Sequence, residues 1–437
     1  MTPTMVQRYP VRLAASGIAA GAIAARHVAS QCGYPNAIGL DMGGTSTDIC
    51  LVHGGELRVT TEWSVEYGYP IIFPSIEVLT IGAGGGSLAW LDEAGSLRNG
   101  PQSAGADPGP ACYDTGGTEP TNSDANLTLG RLGTSLAGGA KSLDPSLARE
   151  ALRRRIVEPL GLELAEAAGA VVKVANANMA DAVRLVSIRR GLDPRDFALV
   201  AFGGAGALHG AEVAKELSIP TVIVPANPGV TSALGCLLVD IRHDLSQMYN
   251  HEVATIDADD LEQHYLTLEA EASERLRHEK VPADRAVLQR LVSMRYRGQW
   301  RSLAVEIGSG PGALAEAVQR FHEQHEREFA FRRDEAAVEV YQLSLRAIGT
   351  TPKPVFAVHE RVNGHTPEPS GHRDVWFEDT GWVPTPLFDR LTLPAGTAIT
   401  GPAIIDQLDS TTVVPPGTTA EIDESLNILI HLKETSR

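Results

Sequence analysis

Eight consecutive residues, Asp41-Met42-Gly43-Gly44-Thr45-Ser46-Thr47-Asp48, gather the densest chemistry in the chain. Adjacent glycines let successive backbone N–H groups converge on an anion, and the hydroxyls of Thr45, Ser46 and Thr47 can donate further bonds. Asp41 and Asp48 place carboxylates at either end. The combination suits a phosphate group, with Asp41 able to complete a Mg²⁺ shell or to orient an attacking water. The same residue types also suit a plain hairpin turn, where Gly, Thr and Asp only meet turn geometry.

A second glycine cluster, Gly203-Gly204-Ala205-Gly206, separates the apolar run Phe197 to Phe202 from a helical segment reaching about Leu217. A strand, a glycine turn and a helix in that order bring a nucleotide close to the backbone. A dinucleotide fingerprint would place an acid about 20 residues further on. Residues 221 to 227 contain none, which speaks against a nicotinamide cofactor. A Walker A loop is missing as well, because Lys141-Ser142 follows Ala140 where the motif needs Gly. No GxSxG elbow supports a serine hydrolase.

The elements that must position these turns follow from local patterning. Ala37 to Leu40 and Ile49 to Val52 are short apolar runs flanking the first turn, so it is expected to cap a β-hairpin. The run Phe197 to Phe202, the helix after the glycines and the run Thr221 to Pro225 read β-α-β, implying parallel strands and a right-handed crossover. Val172, Ala175, Met179, Val183 and Val186 recur at helical spacing. Residues 11 to 31 are Ala-rich, with Gly17 and Gly21 on a helix able to approach a neighbour closely. Residues 80 to 120 hold so much Gly and Pro that they are expected to be mostly loop, and loops of that length are commonly functional. Gly84, Gly85 and Asp107 in this stretch are candidates for the substrate side.

Near residue 250 the texture changes. A charged helix over about 257–280, a strand over 291–296, a helix over 312–329 and a strand over 338–348 form an α+β region. Short β-type runs such as Ala403 to Ile405 and Thr411 to Val414 follow. The expected division is therefore 1–250, 251–350 and a small C-terminal β module over 351–437. No solenoid-type repeat is present.

Composition bounds the rest. A chain of 437 residues, 43% hydrophobic and 21% charged, has the balance of a globular protein of two or three domains. No run approaches the roughly 18 apolar residues of a membrane span, and no basic segment leads into an apolar one at the N-terminus. A soluble, unexported protein is expected. Cys32, Cys50, Cys112 and Cys236 are scattered, consistent with reduced thiols in a cytoplasm. A net charge of −17 without basic clusters disfavours nucleic acid.

The hairpin turn followed much later by strand, Gly203–Gly206 and helix resembles the second half of the actin-like ATPase fold shared by sugar kinases and heat-shock chaperones. In that resemblance the hairpin is the second phosphate loop and the later glycine turn serves adenosine. Longer strings narrow it: Gly39 to Asp48, Gly82 to Ser87, Gly100 to Pro110, Ala201 to His209 and Gly401 to Ile405. Together they resemble the A-type, ATP-binding subunit of the hydantoinase/oxoprolinase family, over about residues 10 to 430.

The resemblance implies ATP with Mg²⁺, bound by Gly43, Gly44, Thr45, Ser46, Thr47, Asp48 and by Gly203, Gly204, Ala205 and Gly206, with Asp41 as the catalytic and metal-binding carboxylate. It implies ring-opening hydrolysis of a cyclic amide, of hydantoin or 5-oxoproline type, through a phosphorylated substrate. The related ketone carboxylases, acting on acetone or acetophenone, are the alternative. It also implies a B-type partner subunit. Full-length members begin with another DxGGT-type loop and a whole first half of the cleft. That half is not in this sequence, so a further chain is expected to supply it, and the chain alone is expected to turn over ATP slowly. An inactive binding or scaffold piece is the reading from another class. At Ser16 to Gly21 the chain reads SGIAAG where relatives tend to read SGPAGG.

Four further candidates complete the inventory. His322 and His325 lie three apart on a helix, short of the spacing of a zinc HExxH. His209 could touch nucleotide or simply pack. Cys112, beside the Pro-rich loop, reads best as an inert thiol. Asp193-Pro194-Arg195-Asp196 reads as a solvated turn.

Overall fold

The computed structural model describes residues 6–7, 9–13, 16–60, 63–64, 70–71, 75–362 and 364–432. The chain forms two compact units, one from 17–237 with 355–437 and the other from 238–354 with 1–16.

The larger unit is built on a mixed sheet. Strand β1 (Ala37–Met42) pairs antiparallel with β2 (Thr47–His53), the expected hairpin, with Asp41 opposite Asp48. On its other side β1 runs parallel to β4 (Ala198–Phe202), with Asp41 beside Phe202. Strand β4 in turn runs parallel to β5 (Thr221–Val224), joined to it through helix α4 (Gly206–Leu217), as the β-α-β pattern requires. Strand β3 (Val78–Ile81) adds to β2.

Strand β1 is apolar almost throughout because both faces of the sheet are covered. Ile38 and Leu40 face helix α3 (Leu164–Val186) and α4 in a core with Met179, Val183 and Val213. Ala37 and its neighbours on β2 and β4 face helix α1 (Ser16–Gln31) through Ala22, Ala25 and Val28. The sheet and α1 meet at Gly39, where a Cβ would stand 2.6 Å from Cys50 Sγ and 2.9 Å from Ala25 Cβ. The close-approach role expected of α1 falls on Gly21: a Cβ there would stand 2.8 Å from Ser232 Oγ on helix α5 (Thr231–Leu238). Positions 14 and 15 of the expected helix lie outside the described residues.

The C-terminal residues do not form a separate module. Strands Ile428–His431, Thr419–Ile422 and Ala398–Thr400 extend the main sheet outward from β5. Strands Gly371–Phe377, Gly381–Asp389, Ala403–Asp406 and Thr411–Val414 make a four-stranded sheet. That sheet is stitched to helix α2 (Asn122–Thr128) by the Trp376 N–H donating to Leu129 O at 2.9 Å. Residues 80–120 also hold more structure than expected, including the hairpin Ser87–Leu91 with Leu97–Ser103.

The other unit is a four-stranded antiparallel sheet in the order Ile241–Glu252, Val338–Gly349, Ala286–Tyr296, Leu303–Glu306. Helices Ala258–His278 and Ala313–Phe329 cover one face through Tyr265, Leu268 and Phe321. The α+β expectation matches in element type. The expected boundary near 250 cuts a strand instead: Ile241–Glu252 pairs along its length with Val338–Gly349. Its polar residues, such as Asp244 and Gln247, hide that partnership from a local reading.

Candidate functional site

Strand β1 carries Asp41 to the carboxyl end of the parallel strands, the edge at which open α/β sheets bind ligands. Among the described residues its Oδ2 accepts one hydrogen bond, from Ser232 Oγ at 2.9 Å. Two glycines make room for it. A Cβ at Gly203 would stand 2.5 Å from Asp41 Oδ1, and one at Gly21 3.4 Å from Oδ2. Burial raises the Asp41 pKa above the ordinary carboxylate value; the Ser232 bond acts in the opposite direction, and the charge of Asp48 adds to the rise. Asp48 is also raised by burial, against a 2.5 Å bond from Thr80 Oγ1. Among the described residues no Lys or Arg pairs with either acid. Two partly desolvated carboxylates without a counter-ion favour a cation in the space they border.

The turn after Asp41 is shaped from behind. Gly43 N donates to Ser46 O at 3.0 Å, closing the turn. The carbonyls of Gly43 and Gly44 accept from Gly85 N at 3.0 Å and Gly86 N at 2.7 Å. Gly84 has to be glycine, since a Cβ would come within 2.6 Å of the Gly44 backbone. With its carbonyls taken, the turn presents its N–H side: among the described residues nothing accepts from the N–H groups of Gly44, Thr45 or Ser46. Gly44 and Thr45 are exposed and Ser46 is half-buried, which leaves a nest of N–H groups open to an anion. Thr47 departs from expectation, because it is fully buried and its hydroxyl donates to Ala83 O.

The second glycine turn lies against the first. Gly203 adopts φ +80°, and its N–H donates to Pro228 O at 2.9 Å. Ala205 N donates to Met42 O at 3.0 Å, and Gly206 packs under Leu40 O. The two clusters read separately in the sequence therefore meet at the end of β1, with Asp41 between them.

Gly84 and Gly85 serve as the backing of the first turn. They are held in place by α2, which the sequence reading missed: Asn122 Nδ2 donates to Gly84 O at 2.7 Å, and Ser123 donates to Gly85 O through both its N–H and its hydroxyl. The signal was present, since Thr121-Asn122-Ser123-Asp124 has the spacing of a capping box and folds as one. Asp107 sits on an exposed loop tethered to the glycine string by Ala104 N donating to Gly86 O at 2.8 Å. Ser232 and Thr80 carried no signal in local sequence.

His209 lies beneath the site and is fully buried, so it does not reach a ligand. It bridges Asn176 Oδ1 at 2.7 Å and Asn126 Nδ2 at 3.2 Å, and burial lowers its pKa to about 4. Cys112 is likewise buried, its thiol pKa raised by burial and by Asp124. His322 and His325 pack in the other unit, with Nδ1 of each bonded to Tyr296 OH at 2.7 Å and to Phe331 O at 2.8 Å, respectively. Asp193 and Arg195 form an exposed ion pair. No group of three or more His, Cys, Asp or Glu able to hold a metal occurs among the described residues. A Mg²⁺ held by one carboxylate and a nucleotide's own phosphates needs none. No described helix is long and apolar enough to cross a membrane.

The chain is similar to characterised proteins over most of its length. The caprolactamase subunit alpha of Pseudomonas jessenii is 36% identical over 94% of this chain and 60% of its own. A crystal structure of the ATP-dependent caprolactamase of that organism superposes with a TM-score of 0.87 at 35% identity, over 94% of this chain and 61% of that one. The acetophenone carboxylase gamma subunit of Aromatoleum aromaticum is 34% identical over 93% of this chain and 58% of its own. The chain thus spans about three fifths of the length of these relatives. The family description Hydantoinase/oxoprolinase matches residues 1–245, and its C-terminal domain matches residues 249–435. The chain belongs to the hydantoinase/oxoprolinase family.

Proposed function

We propose that this chain forms one wall of an ATP site of actin-like architecture and works, with partner chains, in ATP-dependent ring-opening hydrolysis of a cyclic amide of hydantoin or 5-oxoproline type. The observation that carries the reading is the Asp41 carboxylate, short of hydrogen-bond donors and set between an N–H nest and a second glycine turn. In this arrangement the N–H groups of Gly44, Thr45 and Ser46 hold phosphate oxygens, and Gly203 and Gly204 leave room for the nucleoside. Mg²⁺ bound with the nucleotide would neutralise phosphate charge during transfer to the amide oxygen. Asp41 would hold that ion or a water of its shell, and Ser232 keeps the carboxylate aimed. A B-type subunit contributes the ring-opening site, and a separate segment or chain contributes the opposing wall. The carboxylase relative supports a second reading, a subunit of a ketone carboxylase.

The test is ADP release by the complete assembly, supplied either with cyclic amides or with ketone and bicarbonate. Amide-dependent release is expected, and Asp41→Asn should lower it about 10²- to 10³-fold, the scale of losing one group that stabilises transition-state charge. Turnover unchanged in Asp41→Asn removes the role given to Asp41. Release that needs ketone and bicarbonate instead selects the carboxylase reading.

A further inference from the structure

Strands β4 and β5 open at their carboxyl ends onto two touching turns, Gly203–Ala205 and Asn227–Gly229, joined by the Gly203 N–H bond to Pro228 O at 2.9 Å. A third turn, from the far C-terminal part of the chain, rests on both. It links strands Ala403–Asp406 and Thr411–Val414 and is closed by Gln407 N donating to Ser410 O at 2.9 Å. Two bonds suspend it over β5: Gln407 Nε2 to Ala226 O at 2.8 Å and Gly229 N to Asp409 Oδ2 at 2.8 Å. The seat is made for the aspartate, because a Cβ at Gly229 would stand 2.7 Å from Asp409 Cβ. A Cβ at Gly204 would lie 4.0 Å from Asp409 O, so the turn borders that glycine too.

Asp409 Oδ1, by contrast, has no donor among the described residues, although it is shielded from water, and Ser410 Oγ beside it in sequence is in the same state. A buried carboxylate oxygen left without a donor costs free energy that a framework residue ordinarily recovers from a neighbour. The glycine turn at 203–204 therefore borders the Asp41 carboxylate at Gly203 and the Asp409 backbone at Gly204, and the Asp409 carboxyl group packs on the adjoining turn at Gly229. Their surroundings differ. Asp41 borders the N–H nest that suits phosphate, whereas Asp409 borders exposed Gly204 and Gly229, surfaces without side chains on which a sugar can lie. Ribose hydroxyls are neutral donors of the kind a carboxylate takes at the carboxyl ends of parallel strands.

We propose that the Gln407–Ser410 turn is the ribose-side wall of the nucleotide site and that Asp409 accepts a hydrogen bond from a ribose hydroxyl. The proposal rests on the nucleotide reading above and extends it to the C-terminal part of the chain. The nucleotide then lies with its phosphates at residues 43–46 and its sugar over Gly204, turned toward Asp409.

The test compares Mg·ATP with Mg·2′-deoxy-ATP and Mg·3′-deoxy-ATP on the complete assembly, by calorimetry or, for weak binding, saturation-transfer NMR. Wild type is expected to favour ATP over one deoxy analogue by about tenfold, the scale of a hydrogen bond to a charged group. Asp409→Asn keeps an oxygen for the Gly229 N–H and replaces the orphaned acceptor with an amide donor, so the fold is retained, as thermal unfolding will verify. In that variant the ratio should approach one. ATP binding with an unchanged ratio in Asp409→Asn, or no preference in wild type, overturns the proposal and leaves the nucleotide reading standing. No binding of any of the three nucleotides overturns both.

Discussion

Asp124 and Asp41 are both carboxylates withdrawn from water, and their surroundings are opposite. Asp124 is fully buried and accepts from Thr121 N at 2.8 Å, Thr121 Oγ1 at 2.7 Å, Cys112 N at 2.7 Å and Ala111 N at 3.3 Å. Among the described residues Asp41 receives one bond, from Ser232. A charge taken out of water must be compensated by donors or counter-charge. Asp124 finds its compensation inside the fold and so holds the fold together, tying the 111–112 segment to α2, which in turn holds Gly84 and Gly85. Asp41 does not, and the shortfall marks the place where a ligand can supply what the chain leaves out.

The strongest way to break the contrast is Asp124→Ala. Four donors then lose their acceptor, and about 3–5 kcal/mol of stability should go, read from urea unfolding. A loss below about 1 kcal/mol would show that Asp124 is not framework. His209 belongs with Asp124 as a satisfied buried group. Its folded pKa, near 4, lies below the ordinary 6.5, so the unfolded chain takes up a proton over that window and the folded one does not. Stability should fall as pH drops from about 6.5 to 4, by up to about 3 kcal/mol, and His209→Gln should flatten that limb. An unchanged limb would place the acid sensitivity elsewhere.

Gly84→Ala probes the joint between the two regions. Its Cβ must push the Gly44 backbone, at a cost of about 1–3 kcal/mol, and the nest should deform with it. The KM for ATP should rise by more than the melting temperature suggests; a variant with reduced stability and unaltered KM would separate backing from nest. The smallest effect sharpens the contrast most. The raised Asp41 pKa means the folded state favours the proton, so that contribution is present at low pH and lost as pH rises through the folded value. At neutral pH without nucleotide, Asp41→Asn should therefore raise the melting temperature, with a gain that grows as pH rises from the ordinary carboxylate value through the folded one and is constant above it. A lower melting temperature in the variant would mean that Asp41 is framework after all.

Both glycine turns and the elements around them were legible because each rests on a few adjacent residues. Apolar runs flank Asp41 to Asp48, and the strand, glycine turn and helix over 198–217 follow one another without interruption. What stayed hidden depends on residues distant in sequence. Ser232 is 191 positions from Asp41, and nothing in its local sequence marks it as the donor to that carboxylate. Thr47 looks like Thr45 in composition but alternates to the buried side of β2, so strand phase, which a polar turn obscures, decides its role. The strand Ile241–Glu252 eluded the pattern because polar residues such as Asp244, Ser246 and Asn250 occupy its open face. Asp124 could have been found, since its spacing from Thr121 is a known helix-start signature.

The pairing of β5 with Ile428–His431 also bears on how the molecule comes into being. Thr221 meets His431 about 200 residues later, across an intervening unit with a core of its own. Contacts so far apart in sequence are slow to form. During synthesis the 238–354 unit can fold while β5 still waits with an unpaired edge, prone to join strands from other chains. The edge of β5 is therefore covered only once the last strands of the chain have been made.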